Sequence, residues 1–499
     1  MKARWRLTAL VLIIVLIISG CNFLKEDDHL SVFQIGEIGE RNSYTIHCIL
    51  DTENMTLSAN EKLRYYNSSN LSMNEIYFHI YPNAFKRKET APFLFDDFEG
   101  AYKGGFEPGY IEVLSISSED ERGERSLEYS FSGEGETILK VDLGYPLKPY
   151  KKIDLEFNFK LQIPPANERF GYSERNVNLG NWYPIAAVYD EKNGWNLDKY
   201  YAIGDPFYSS IADYNVSIKA PKDYIIASSG NFIDKKSEGD MIIWSFEEKA
   251  LRDFAFVACK DFDVKKKKVD GTIIKSYFYK KDEERGKEAL EWGAKAIEVF
   301  NKLYGKYPYG EFSIVGTEFP SGMEYPMLIY ISDKYYKPSY PVDALIITIV
   351  HEVAHQWFYG IVGNDQIDEP WLDEGFASYS ETLFAEEVLG KREGEDYYMR
   401  TVERNIEEAL NNEIIDGSLS KSLPEFENWE DYGPTAYGRG AQMLHELRRL
   451  LGDDKFFEII KNYVEEYRFK IATGEDFIKV CQEVSDIDLG DFFEPWLGK

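Results

Sequence analysis

Two histidines four residues apart, with a glutamate after the first, stand in the segment His351-Glu352-Val353-Ala354-His355 of a chain that has only six histidines. On a helix this spacing puts both imidazoles on one face about one turn apart, where both can grip one cation. Zinc that does chemistry takes three protein ligands and leaves a position open for water, and a carboxylate commonly completes the set. The segment Trp371-Leu372-Asp373-Glu374-Gly375-Phe376-Ala377 supplies one, since eighteen residues separate His355 from Glu374 and a second helix packed antiparallel to the first returns that carboxylate to the histidine face. His351, His355 and Glu374 are therefore the expected ligands of one Zn2+ per chain. Glu352 is the expected base: it can take a proton from water activated at the metal and pass it to a leaving amine. By itself the first segment also fits an amphipathic helix with two solvent-facing histidines, and Glu374 is what sets it apart.

The elements that must position these residues are legible in the hydrophobic period. From about Tyr44 to Val264 the pattern is mostly strand, clearest where Ile153, Leu155, Phe157, Phe159, Leu161 and Ile163 alternate with polar residues before Pro164-Pro165. Tyr44–Leu50, Leu57–Tyr65 and Tyr214–Lys219 read as further strands. The run Lys265–Lys268 reads as a solvated turn. Beyond it Leu290, Ala294, Ile297 and Tyr304 fall at helical spacing, with Gly305 as the stop. Further helices are expected at about 342–359, 373–389, 397–410, 435–451 and 455–467. The chain is read as α+β and multidomain, with a β-rich part at 41–264 and a mainly helical part at 265–499.

Composition narrows the partners. A chain of 499 residues with 44% hydrophobic residues buries a large core, and a formal net charge of −30 repels nucleic acid phosphates. No nucleic acid partner is expected. Four cysteines, Cys21, Cys48, Cys259 and Cys481, form no C-x-x-C pair and supply neither a disulfide framework nor a metal site. Residues 1–20 have a basic start, an apolar stretch from Leu10 to Ile18 that is too short to span a bilayer, and then Ser19-Gly20-Cys21. This resembles the bacterial lipoprotein signal, which implies a lipidated Cys21 as mature N-terminus, a polar tether at 21–40, and attachment to the cell membrane on its extracytoplasmic side.

H-E-x-x-H, eighteen residues, and the glutamate of a W-L-x-E-G-F-A segment together resemble the gluzincin aminopeptidase family, typified by aminopeptidase N. The resemblance runs from about Tyr44 to the C-terminus, with weaker marks at Asn181-Trp182-Tyr183-Pro184 and Gly204-Asp205-Pro206-Phe207. It implies a β-rich N-terminal domain, a thermolysin-like catalytic domain, and hydrolysis of peptide substrates from the amino end. Ser321-Gly322-Met323-Glu324-Tyr325 is similar to the family's G-x-M-E-N. Gly322 and Met323 then line the site and Glu324 binds the substrate's α-amine, although Ser321 and Tyr325 depart from the pattern. Tyr437-Gly438-Arg439-Gly440 is similar to Y-x-K-G, which implies that Tyr437, with Tyr432 as a nearby competitor, steadies the oxyanion. Glu381, two turns after Glu374, reads either as a partner that orients a histidine ligand or as a solvated glutamate. His445 reads as a packing or surface residue. Alternatives to an aminopeptidase are an endopeptidase on the same scaffold and a non-catalytic surface binding protein.

Overall fold

The computed structural model describes residues 38–120 and 123–497. The expected signal at 1–20, Cys21 and the tether as far as residue 37 lie outside the described residues. Among the described residues no helix is long and apolar enough to cross a membrane.

The alternating segment becomes the strand Lys152–Gln162, with Ile153, Leu155, Phe157, Phe159 and Leu161 all buried. It sits between Thr56–Tyr66 and Tyr110–Asp120 in an eight-stranded sheet. That sheet runs in the order Asn231–Glu238, Met241–Leu251, Ala212–Pro221, Asn42–Asp51, Thr56–Tyr66, Lys152–Gln162, Tyr110–Asp120, Gly123–Ser126. Its pairs are antiparallel except Asn42–Asp51 with Ala212–Pro221, which are parallel with Asn42 opposite Ala212. Two four-stranded sheets accompany it.

The run Lys265–Lys268 lies in a strand, Phe262–Val269, and not in a turn. It pairs antiparallel with Thr272–Tyr279 at the edge of a five-stranded sheet. Lysines suit an edge strand because their charge deters pairing with a further chain. Lys265 also bridges Asp263 and Glu283, and Lys267 bridges Glu291. The sheet continues through Glu311–Thr317 and Leu328–Ser332 and ends at the two-residue strand Gly322–Met323. These last three strands fall where the period reads as helical. Their side chains are buried on both faces, so they show no alternation to read.

Helix Glu283–Tyr304 stops before Gly305, whose φ of +107° suits glycine. The metal-motif helix is Val342–Ala354, five residues shorter than the sequence predicts. The chain turns back at Phe358–Val362, with Tyr359 at φ +116°, and Gly363 bonds Lys470 and pairs with Ile471. His355 keeps helical torsions and its N–H still reaches the His351 carbonyl, so the one-turn spacing of the imidazoles survives. The next helix is Trp371–Leu389. Its Gly375 packs on Gly440 at the start of helix Gly440–Leu451, where a Cβ on Gly375 would sit 2.7 Å from the Gly440 Cα. The glycines of two motifs thus let the helix carrying Glu374 touch the segment carrying Tyr437.

Candidate metal centre and active site

His351 Nε2, His355 Nε2 and Glu374 Oε2 form a near-equilateral triangle with edges of 3.1, 3.1 and 3.2 Å. All three residues are at least nine-tenths buried. The donor set fits zinc. His355 Nδ1 donates to the Phe358 carbonyl at 3.1 Å and His351 Nδ1 pairs with Glu381 Oε1 at 2.8 Å. Those outward bonds turn both Nε2 atoms toward each other and toward a carboxylate, an arrangement suited to holding a cation between them. Tetrahedral zinc with ligands at about 2.0–2.2 Å implies edges of roughly 3.3–3.6 Å, close to those observed. Glu374 is held below the ordinary carboxylate range, because His355 and His351 outweigh the opposing effect of burial. Phe376 on the second helix stacks on Phe358 at 4.4 Å and fixes Glu374 relative to the turn after His355.

Glu381 therefore faces His351 rather than solvent, and its other oxygen accepts from the Tyr397 hydroxyl. Such outer partners set ring orientation and ligand basicity. Glu381→Ala is expected to weaken zinc affinity by about 10- to 100-fold, measured by competition with a chromophoric chelator; unchanged affinity would reduce Glu381 to a packing residue.

Glu352 lies on the same helix, 6% exposed, against Gly322 of the edge strand. A Cβ on Gly322 would fall 1.9 Å from Glu352 Oε1, so only glycine leaves room for the carboxylate. Burial raises the Glu352 carboxyl to about 7 against the opposing pull of His351 and His355. That suits a group which must accept and then release a proton near neutrality. Met323 is buried, and its sulfur accepts from Arg169 Nε at 3.0 Å. Arg169 also pairs with Asp205 at 2.5 Å and donates to the Gly204 carbonyl. Tyr325, at a position where the motif departs, is fully buried and its hydroxyl donates to Asn181 at 2.8 Å. The two weaker segments noted in the sequence thus abut the site.

Glu324 is 3% exposed and accepts from Gln366 Nε2 at 3.1 Å. Burial, then the charge of Asp205, pushes its carboxyl far above the ordinary value. Asp205, Glu324, Glu352, Asp373 and Glu374 are all buried here, and such a set of carboxylates calls for cations.

Tyr437 sits in a π-helical turn, Gly433–Arg439, half-buried, with its ring parallel to His351 at 5.6 Å. Burial and the Glu374 carboxylate hold its phenol proton firmly. Tyr432 is buried in an apolar cluster with Ile367, Leu423 and Phe426. Ser321, Gly322 and Tyr437 open on a cavity of about 550 Å³ whose lining includes Phe95 and Trp429, tilted against each other at 4.8 Å. His445 stacks on Tyr398 at 3.8 Å as a packing residue. Sequence reasoning missed Arg169, Gln366 and Asp373 as members of the site, and Asp205 carried a signal only through its motif.

Residues 288–496 match the model of the peptidase family M1 domain. Aminopeptidase N of Lactobacillus helveticus is 28% identical over 244 residues, which are 46% of this chain and 28% of that protein. Probable aminopeptidase 1 of Sulfurisphaera tokodaii is 23% identical over 303 residues, 58% of this chain and 38% of that protein. The matched regions thus span less than two fifths of those relatives. An M1 zinc metallopeptidase from Deinococcus radiodurans has a similar fold, with a TM-score of 0.60 at 16% identity over 90% of this chain and 93% of that one. The segment 288–496 that matches the peptidase family M1 domain carries His351, His355, Glu374 and Tyr437.

Proposed function

We propose that this protein is a zinc aminopeptidase that releases N-terminal residues from peptides. The observation that carries the reading is Glu324: a buried carboxylate that shares a space within 4.8 Å with a ring nitrogen of His355 and a carboxylate oxygen of Asp373. A carboxylate so placed binds a free α-ammonium beside the metal ligands and so selects the terminal peptide bond over internal ones. Zinc held by His351, His355 and Glu374 would supply a Lewis acid and an acidified water. Glu352 takes the proton of the attacking water and delivers it to the leaving amine. Tyr437 keeps its proton and donates a hydrogen bond to the developing oxyanion. The strand Gly322–Met323 ends its sheet, so its outer edge can receive an extended peptide backbone. A lipid anchor at Cys21 with the catalytic part outside the cytoplasm is part of the same proposal, supported by the basic, apolar and Ser-Gly-Cys order of residues 1–21.

The test compares aminoacyl amides with their N-acetylated counterparts. Loss of one charge-assisted bond in a desolvated site costs about 1.5–3 kcal/mol, so acetylation is expected to lower kcat/KM by about ten- to 150-fold. Glu324→Ala is expected to narrow that gap by slowing the free-amine substrate most. Equal wild-type rates on both substrates would replace the proposal with an endopeptidase.

A further inference from the structure

We infer that Asp373 is a second carboxylate for the substrate's α-ammonium, held opposite Glu324 by the side-chain amide of Gln366. The inference rests on the aminopeptidase reading above and extends it to a two-carboxylate clamp. Gln366 is 2% exposed, and its Nε2 donates to Glu324 Oε1 at 3.1 Å and to Asp373 Oδ2 at 2.6 Å. A carboxylate oxygen of Glu324, one of Asp373 and a ring nitrogen of His355 lie within 4.8 Å of one another. Two buried carboxylates this close either keep a proton or take a cation between them, and a cation that enters gains both as acceptors.

Arg169 is committed to Asp205 and to the Gly204 carbonyl. A second metal ion on Glu324, His355 and Asp373 would need an imidazole nitrogen that His355 does not have to spare. Its Nδ1 donates to Phe358 and its Nε2 belongs to the triangle with His351 and Glu374. An ammonium brought by the substrate remains. With charge-assisted bonds of about 2.8 Å, one nitrogen can contact two oxygens up to roughly 5.6 Å apart, which covers the separation here. Glu324 and Asp373 then each take one N–H. Gln366 is a positioning residue that fixes both before the substrate arrives.

Asp373 also accepts from the Glu374 backbone N–H through Oδ1, at 3.0 Å. A role confined to that helix end is the competing account, and Asp373→Asn separates the two because it keeps the shape and an acceptor while removing the charge. In the zinc-loaded full chain, Asp373→Asn is expected to raise KM for a free-amine aminoacyl amide by about tenfold. The preference for free over acetylated substrate should narrow by the same factor, with zinc content kept. Gln366→Met, which preserves bulk but drops the bridge, is expected to shift the same ratio in the same direction. A ratio unchanged in both variants, or equal losses on both substrates, overturns the clamp. Equal wild-type rates on the two substrates would instead remove the aminopeptidase reading on which it rests.

Discussion

Glu352→Gln is expected to leave the metal in place and lower kcat by about 10²- to 10⁴-fold, the usual effect of losing a positioned general base. The expectation is sharp because the glutamine amide has the volume of the carboxylate, and the pocket against Gly322 admits that volume and little more. Helix Val342–Ala354 and the ligands around it are left untouched. What is lost is the ability to accept a proton from water and return it to the leaving amine. Zinc content by elemental analysis and steady-state kinetics on an aminoacyl amide check the two halves separately. Turnover within about tenfold of wild type, with zinc bound, would take the role of base away from Glu352.

His351→Ala is expected to abolish both zinc retention and activity. Two donors, His355 and Glu374, remain of the three, and the open position that chemistry needs cannot be added to so thin a set. The substitution also strips Glu381 of its imidazole partner and leaves a part-buried carboxylate held only by Tyr397. The ring of Tyr437 loses its stacking neighbour as well. Dialysed protein should hold well below one zinc per chain and hydrolyse aminoacyl amides at the background rate. One zinc per chain in this variant would exclude His351 from the ligand set.

The parts of this site that the sequence announces are those whose geometry is local. Four-residue spacing on a helix brings His351 and His355 together whatever the rest of the chain does, and the shortening of that helix at Ala354 does not disturb it. Glu374 is less local, and its distance from His355 became informative through the motif around it. Tyr437 is favoured over Tyr432 in the sequence by the Y-x-K-G resemblance alone, and in three dimensions one stacks on His351 while the other fills an apolar cluster. Arg169 and Gln366 carry no period and no motif, and Asp373 falls on the variable position of W-L-x-E-G-F-A. Arg169 reaches Met323 across 154 residues of chain, and Gln366 reaches Glu324 across 42. Contacts of that kind depend on how sheets and helices pack and leave no local mark.

The same division holds for the fold. The strand Lys152–Gln162 is half-buried and shows its alternation openly, whereas Glu311–Thr317 and Leu328–Ser332 are buried on both faces and read as plain apolar runs. The lysine run was misleading for the opposite reason. Charge on an edge strand protects the sheet, yet in one dimension it looks like a turn.

If Glu324 binds the substrate's α-ammonium, the first cut in a peptide falls at its amino end. Incubation of the wild-type enzyme with a defined peptide of mixed sequence, followed over time by mass spectrometry, reads this directly. Stepwise loss of residues from the amino end, absent for the N-acetylated form of the same peptide, is the predicted result. Internal fragments formed at equal rates from both forms would contradict it.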